Sequence, residues 1–280
     1  MIDSEPQQLV IVPVPAFKDN YIWLMVRGRS AAIVDPGDAA PIEAALSKLD
    51  LSLDAILLTH HHPDNMGGVA ALVARRESAT LPVYGPRSEA IAGVTHPLDD
   101  GDRIALPTVG LDLTVLAIPG HTRGHIAYFC DRRDAAHAVA ASSIDTPALL
   151  FCGDTLFACG CGRLFEGTPS QMHASLTRLA ALPVATHVYC GHEYTLANIR
   201  FARAVEPDNA ALAEREASAI ATRARSQPTL PSTIALERET NPFLRCDVSA
   251  VRLAAQKMTS AAAATDIATF AALRKWKDAF

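Results

Sequence analysis

Four short segments end an apolar run in histidine or aspartate. They are ILLTHHHPD (56–64), VLAIPGHTRGH (115–125), LLFCGDT (149–155) and VYCGHEY (188–194). Their polar ends offer His60, His62, Asp64, His121, Asp154 and His192. Residues two apart share a side on an extended segment but not on a helix, so His60, His62 and Asp64 converge only if the motif is a strand end or a loop. His61 between them then points away. An imidazole and carboxylate donor set suits zinc, iron or manganese better than a soft thiolate metal. A shared carboxylate can hold two ions about 3.5–4 Å apart, an arrangement that activates water. A lone His-x-His is weak evidence, and any one of these residues could serve a turn or a core. The joint pattern of four strand ends in order outweighs that reading. One position departs from it: where a His-x-His-x-Asp-His loop has its last histidine, this chain has Asn65.

The remaining titratable groups lack such context. His96, His137, His173 and His187 read as structural, and His125 as support for the site. Cys159-Gly160-Cys161 reads as thiols lining a tight turn rather than as ligands. The histidine-rich motif includes no serine or cysteine with a neighbouring base, which argues against a covalent nucleophile.

Strand ends must position these side chains. LVIVPVP, NYIWLMV and AAIVDPG predict short strands, the last stopped by Pro36-Gly37. A helix follows with Asp38 as cap, Pro41 in its first turn, and Ile42, Ala45, Leu46 and Leu49 on one face. DAILLTH predicts a buried strand running into the motif, and residues 66–77 a helix with Val69, Leu72 and Val73 on one face. PVYGP, LTVLAIPG, IAYFC, ALLFCGD and HVYCGHEY predict further strands. The polar, Ala/Ser-rich stretch 131–147 reads as a surface loop. Thr168, Pro169 and Gln171 form a capping-box start for a helix carrying Met172, Leu176 and Leu179. After about Tyr194 strand signals fade. Helices are predicted near 195–205, 208–226, 247–257 and 263–275, broken at Pro228, Pro231 and Pro242. The expected organisation is an α/β domain over 1–194 and a smaller all-helical domain over 195–280.

The chain of 280 residues, 49% hydrophobic, can bury a sizeable core. Its net charge of −5 supplies no basic field to recruit nucleic acid or an anionic membrane. No apolar run approaches the ~20 residues of a membrane helix, and the N-terminus shows no signal-peptide pattern. Six cysteines without a CxxC pair fit a reduced cytoplasmic chain. A monomer is expected.

THHHPD, PGHTRGH, GDTLF and GHEYT resemble the metal motifs of the metallo-β-lactamase superfamily, and more narrowly of glyoxalase II, the hydroxyacylglutathione hydrolases. PAFKDNYIW, VDPGD, GDTLFACGCGRLFEGT, VEPDN, ETNPFLR and the terminal LRKWKDAF extend the likeness across essentially the whole chain. The resemblance implies an αββα sandwich followed by a helical substrate-binding domain, with two divalent metal ions: zinc first, iron or manganese as alternatives. It implies His60, His62 and His121 on the first metal. Asp64, Asn65 (in place of a histidine) and His192 fall on the second, with Asp154 bridging. Asn65 could ligate through its amide oxygen, leave its place to water, or leave the second site largely empty. Substrate positions carry over to Arg163 (family lysine), Phe165 (family tyrosine), Tyr194, Arg274 and Lys277. The implied reaction is metal-dependent hydrolysis of a glutathione thioester, S-D-lactoylglutathione, with Asp64 also holding the attacking water. A mononuclear-iron persulfide dioxygenase and a non-catalytic metal- or glutathione-binding protein are the competing readings.

Overall fold

The computed structural model describes residues 8–75, 81–131, 147–259 and 264–280. These gather into two compact units: Met1–Ala117 with Ile126–Gly153, and Ile118–His125 with Asp154–Phe280. The stretch expected as a surface loop over 131–147 lies almost wholly outside the described residues.

In the first unit β1 (Val10–Ala16), β2 (Asn20–Arg27) and β3 (Ser30–Val34) form an antiparallel meander. Helix α1 (Ala39–Leu49) then crosses over, and β4 (Ser52–Leu57) returns parallel to β3. The short helices α2 (Pro63–Met66) and α3 (Val69–Ala74) lead to β5 (Val83–Pro86) and β6 (His96–Leu98), both parallel, completing a six-stranded sheet. Ile22, Leu24, Ile33 and Ile56 of this sheet are fully buried against Ile42 of α1 and Val69 and Leu72 of α3. Each such side chain contributes about 1.5–3 kcal/mol by leaving water. Asp38 caps α1 by accepting from the Ala40 N–H at 3.0 Å, as its sequence predicts. Leu49 and Val73, expected on the apolar faces, are exposed, because each lies in the last turn of its helix. The helix expected over 66–77 is divided, with α2 and α3 separated at Gly67-Gly68.

A second run, β7 (Arg103–Leu106), β8 (Leu111–Ala117), β9 (Ile126–Cys130) and β10 (Leu149–Gly153), is antiparallel throughout. It is tied to the metal-motif strand of the first sheet. Tyr128 on β9 donates its hydroxyl to the Leu58 carbonyl at 2.7 Å, and the Ile126 N–H donates to Thr59 at 3.0 Å.

In the second unit the two-residue strands β11 (Leu156–Phe157) and β12 (Gly160–Cys161) form a tight hairpin just after Asp154. Helix α4 (Pro169–Ala180) starts on the predicted capping box of Thr168 and Gln171 and buries Met172, Leu176 and Leu179. Strand β13 (His187–Cys190) pairs with β14 (Ser232–Thr233). Helices α5 (Thr195–Val205), α6 (Ala210–Ala224), α8 (Ser249–Thr259) and α9 (Asp266–Ala279) correspond to the four expected ones, while α7 (Ile234–Thr240) is additional. Its seven residues carry a charged pattern without a clear period, and burial of Glu237 explains why. Glu237, 0% exposed, accepts from Arg215 at 2.5 Å, Ser232 at 2.5 Å, the Cys159 N–H at 2.9 Å and Asn241 at 3.0 Å. Asn241 also donates to the Phe157 and Gly160 carbonyls. The carboxylate thus fastens the β11–β12 hairpin to α6 and α7, with its buried charge fully partnered.

Candidate metal centre

The first unit carries His60 and His62 on the loop after β4, and Asp64 and Asn65 in the helical turn α2 that follows rather than on the expected loop. His60 is fully buried and His62 half-buried, and the loop is extended through His62 before Pro63 opens α2. His60 Nε2 and His62 Nδ1 face each other at 3.1 Å, with the rings edge to face. His61 points away, as the alternation predicts, and its Nδ1 meets Glu89 at 2.8 Å.

Asp35, buried after β3 at a left-handed φ of 55°, decides the state of His60. Its two oxygens accept the Thr59 N–H and the Thr59 hydroxyl, both at 2.8 Å. The Thr59 hydroxyl has only one proton. Having given it to Asp35, its oxygen must accept from His60 Nδ1 at 3.0 Å. His60 therefore carries a proton on Nδ1, and in the neutral ring Nε2 holds the lone pair that faces the His62 nitrogen. A cation suits two nitrogens so placed, and ligating histidines commonly have their other nitrogen held in this way. Asn20, at the closing end of the β1–β2 turn, donates to Asp64 Oδ2 at 3.1 Å and steadies that carboxylate. Gly37 lets the Asp35-Pro36-Gly37 turn lie against the loop, since a Cβ there would stand 1.8 Å from the Asp64 carbonyl oxygen. Asn65, 1% exposed, has an amide oxygen with no hydrogen-bond partner among the described residues.

The second unit carries His121, Asp154 and His192. His121 donates from Nδ1 to the Arg163 carbonyl at 2.9 Å, so that in the neutral ring Nε2 is the acceptor nitrogen. That Nε2 lies 3.6 Å from Asp154 Oδ2, and His192 Nε2 lies 3.2 Å from the same oxygen. Asp154 Oδ1 is buried with no hydrogen-bond partner among the described residues. His125 Nε2 accepts the Asp154 N–H at 3.1 Å, a supporting place in line with its sequence context. Burial pushes the Asp154 carboxyl up, but the His192 hydrogen bond and the neighbouring histidines outweigh that and hold it below its usual range. Gly162 admits the close approach, because a Cβ there would fall 2.0 Å from the Asp154 carbonyl oxygen. Each unit therefore holds a buried oxygen acceptor without a hydrogen-bond partner among the described residues, close to imidazole side chains. Such oxygens are costly unless a cation or water completes them, so the donor set fits divalent metal.

The positions expected to meet substrate all lie in the second unit. Tyr194 stacks on His192 at 4.6 Å. Phe165 is 63% exposed, with its ring edge-on to His121 at 5.2 Å. Arg163 is exposed and sits 3.8 Å from Asp278. Arg274 is buried instead: it donates to the Cys161 carbonyl at 2.9 Å and to Asp278 at 2.9 Å. Lys277 donates to Asn198 and lies over the Phe201 ring. Burial and the nearby Arg274 charge bring its amine down to about 8. The Cys159 and Cys161 thiols are buried and pushed up, Cys159 to about 12, so they are inert in the turn. In the sequence Asp35 and Asn20 stand only within longer motifs, and Thr59, Asn198 and Asp278 carry no distinguishing pattern. A polar residue at the end of an apolar strand, as in IVDPG, was the available signal for Asp35.

Comparison with known proteins gives one picture. Residues 17–138 match the metallo-beta-lactamase superfamily model, and residues 193–280 match the model of the hydroxyacylglutathione hydrolase C-terminus. The hydroxyacylglutathione hydrolase of Cupriavidus taiwanensis is 56% identical, covering 97% of this chain and 99% of its own length. That of Alkalilimnicola ehrlichii is 54% identical over 96% and 98%. Among solved structures, ETHE1 from Myxococcus xanthus superposes with a TM-score of 0.57 at 25% identity, covering 85% of this chain and 84% of its own. A protein solved in a di-iron-bound form gives a TM-score of 0.54 at 28% identity, covering 84% of this chain and 100% of its own.

Proposed function

Since the chain belongs to the hydroxyacylglutathione hydrolase family of the metallo-β-lactamase superfamily, we propose that it cleaves S-D-lactoylglutathione and related S-2-hydroxyacylglutathiones to glutathione and the free 2-hydroxy acid. It is a thioester hydrolase of the glyoxalase II type. The observation that carries the reading is the near-complete coverage of hydrolase relatives, together with two orphaned buried oxygens among the expected ligands. The persulfide dioxygenase and non-catalytic readings have no comparable support.

His60, His62 and His121 would hold a first divalent ion, and Asp64, Asn65 and His192 a second, with Asp154 between them. Asn65 would ligate through its amide oxygen, which its buried, unpartnered state supports over a water-filled place. Bound there, the metals would supply Lewis acidity and hydroxide near neutral pH. The side chains do the rest. The Asp35–Thr59 pair keeps His60 in its ligating tautomer. Asn20 aims the Asp64 carboxylate, whose oxygens would ligate and orient the attacking water. Arg163 and Lys277 meet the glutathione carboxylates, and Tyr194 and Phe165 flank the chain of the substrate. Arg274, committed to the Cys161–Gly162 turn, adds its charge and holds that turn in shape. The departing thiolate, of thiol pKa about 8.5, requires no strong general acid.

The reading divides the chain at residue 194 into a catalytic part and a helical substrate-binding part. The protein is then a cytoplasmic monomer with two divalent ions, zinc before iron or manganese, and the six free cysteines suit a reducing compartment. No helix among the described residues is long and apolar enough to cross a membrane. Incubating the purified protein with S-D-lactoylglutathione should release free thiol, and a chelator should abolish it. Absence of turnover with zinc, iron or manganese supplied would overturn the proposal.

A further inference from the structure

Phe17 stands out at the tip of the β1–β2 turn. It is a large aromatic residue, 62% exposed, held at a left-handed φ of 50°. Side chains other than Gly, Asn and Asp rarely occupy that region. Local strain of this kind gathers at functional positions. Three observations place the turn at the reacting centre. Ala16 and Asn20 pair across it, so Phe17 lies three residues from the side chain that donates to Asp64. A Cβ built on Gly37 would stand 1.8 Å from the Asp64 carbonyl oxygen and 3.0 Å from Cε2 of Phe17. The ring therefore lies over the same glycine that the Asp64 backbone lies against, with its outer face open.

We propose that Phe17 is a specificity-determining residue whose open ring face receives the acyl group of the thioester, favouring apolar and aromatic 2-hydroxyacyl groups. The inference rests on the hydrolase reading and on Asp64 lying beside the scissile carbonyl. A carbonyl held there carries its acyl substituent within reach of the neighbouring ring, and aromatic faces reward flat apolar groups most.

The test compares S-mandeloylglutathione with S-D-lactoylglutathione on the full chain. Phe17→Ala should lower kcat/KM about tenfold for the mandeloyl thioester and about twofold for the lactoyl one. Phe17→Gly should shift the ratio equally while melting no lower than the native protein, because glycine is at ease at positive φ. Phe17→Tyr should keep the native ratio. An unchanged ratio in both Phe17→Ala and Phe17→Gly, or equal losses on both substrates, overturns the proposal while leaving the hydrolase reading intact. Native protein inactive on both thioesters overturns that reading, and the proposal with it.

Discussion

Asn65→Ala removes an oxygen that is buried and lacks a hydrogen-bond partner. In chelated protein that orphaned acceptor costs about 1–3 kcal/mol, so its loss offsets the packing lost with the side chain, and the chelated melting temperature should barely move. With metal the balance differs. A neutral oxygen on a cation is worth about 1.5 kcal/mol, close to a tenfold change in affinity. At free metal about 100 times the second dissociation constant, binding stabilises the fold by about 2.7 kcal/mol. A tenfold weaker site at the same concentration gives about 1.4 kcal/mol. The difference of about 1.3 kcal/mol lowers the metal-dependent rise in Tm by about 2 °C for a chain of this size. Asn65→His, which supplies a stronger imidazole donor, should raise the second-site affinity instead. Thermal melts over a metal titration, with competition against a chromophoric chelator, read both. Equal second-site affinity in native, Ala and His forms would refute ligation by Asn65.

Thr59→Val deprives His60 Nδ1 of its acceptor and Asp35 of a donor, and should weaken metal affinity about 10- to 100-fold as read by chelator competition. Burial brings Lys277 down to about 8, so its cationic form prevails below that pH and is lost above it. The KM for glutathione thioesters should therefore be flat below about pH 7 and climb through pH 8–9, whereas Lys277→Gln should show a raised KM without that climb. Glu237→Ala leaves Arg215 charged and buried without its partner, and should destabilise the protein by about 3–5 kcal/mol in denaturant unfolding.

Long or sharply bounded elements were legible in the sequence. β2 and α4 declare themselves by apolar runs, periodicity and a capping box, and the four helical signals after Tyr194 fall within a few residues of the observed helices. The two-residue strands β11, β12 and β14 were not legible, since two residues carry no period. Helix α7 was hidden because its buried Glu237 violates the apolar-inside pattern and is made tolerable only by Arg215, Ser232 and Asn241 from other segments. Candidate ligands could be named from strand ends, but their protonation states could not. Those follow from Thr59 and from the Arg163 carbonyl, groups whose meaning depends on three-dimensional placement. Arg274 illustrates the same limit: its position in RKWK suggests an open cation, yet its side chain is folded back on Cys161 and Asp278.

The central claim is a two-metal thioester hydrolase whose second site includes Asn65. Metal analysis of the purified chain, paired with thiol release from S-D-lactoylglutathione during stepwise metal return to chelated protein, tests it most directly. Two divalent ions per chain are expected at full activity, with the second released first on chelation. Full turnover at one ion per chain, or with none, would contradict it.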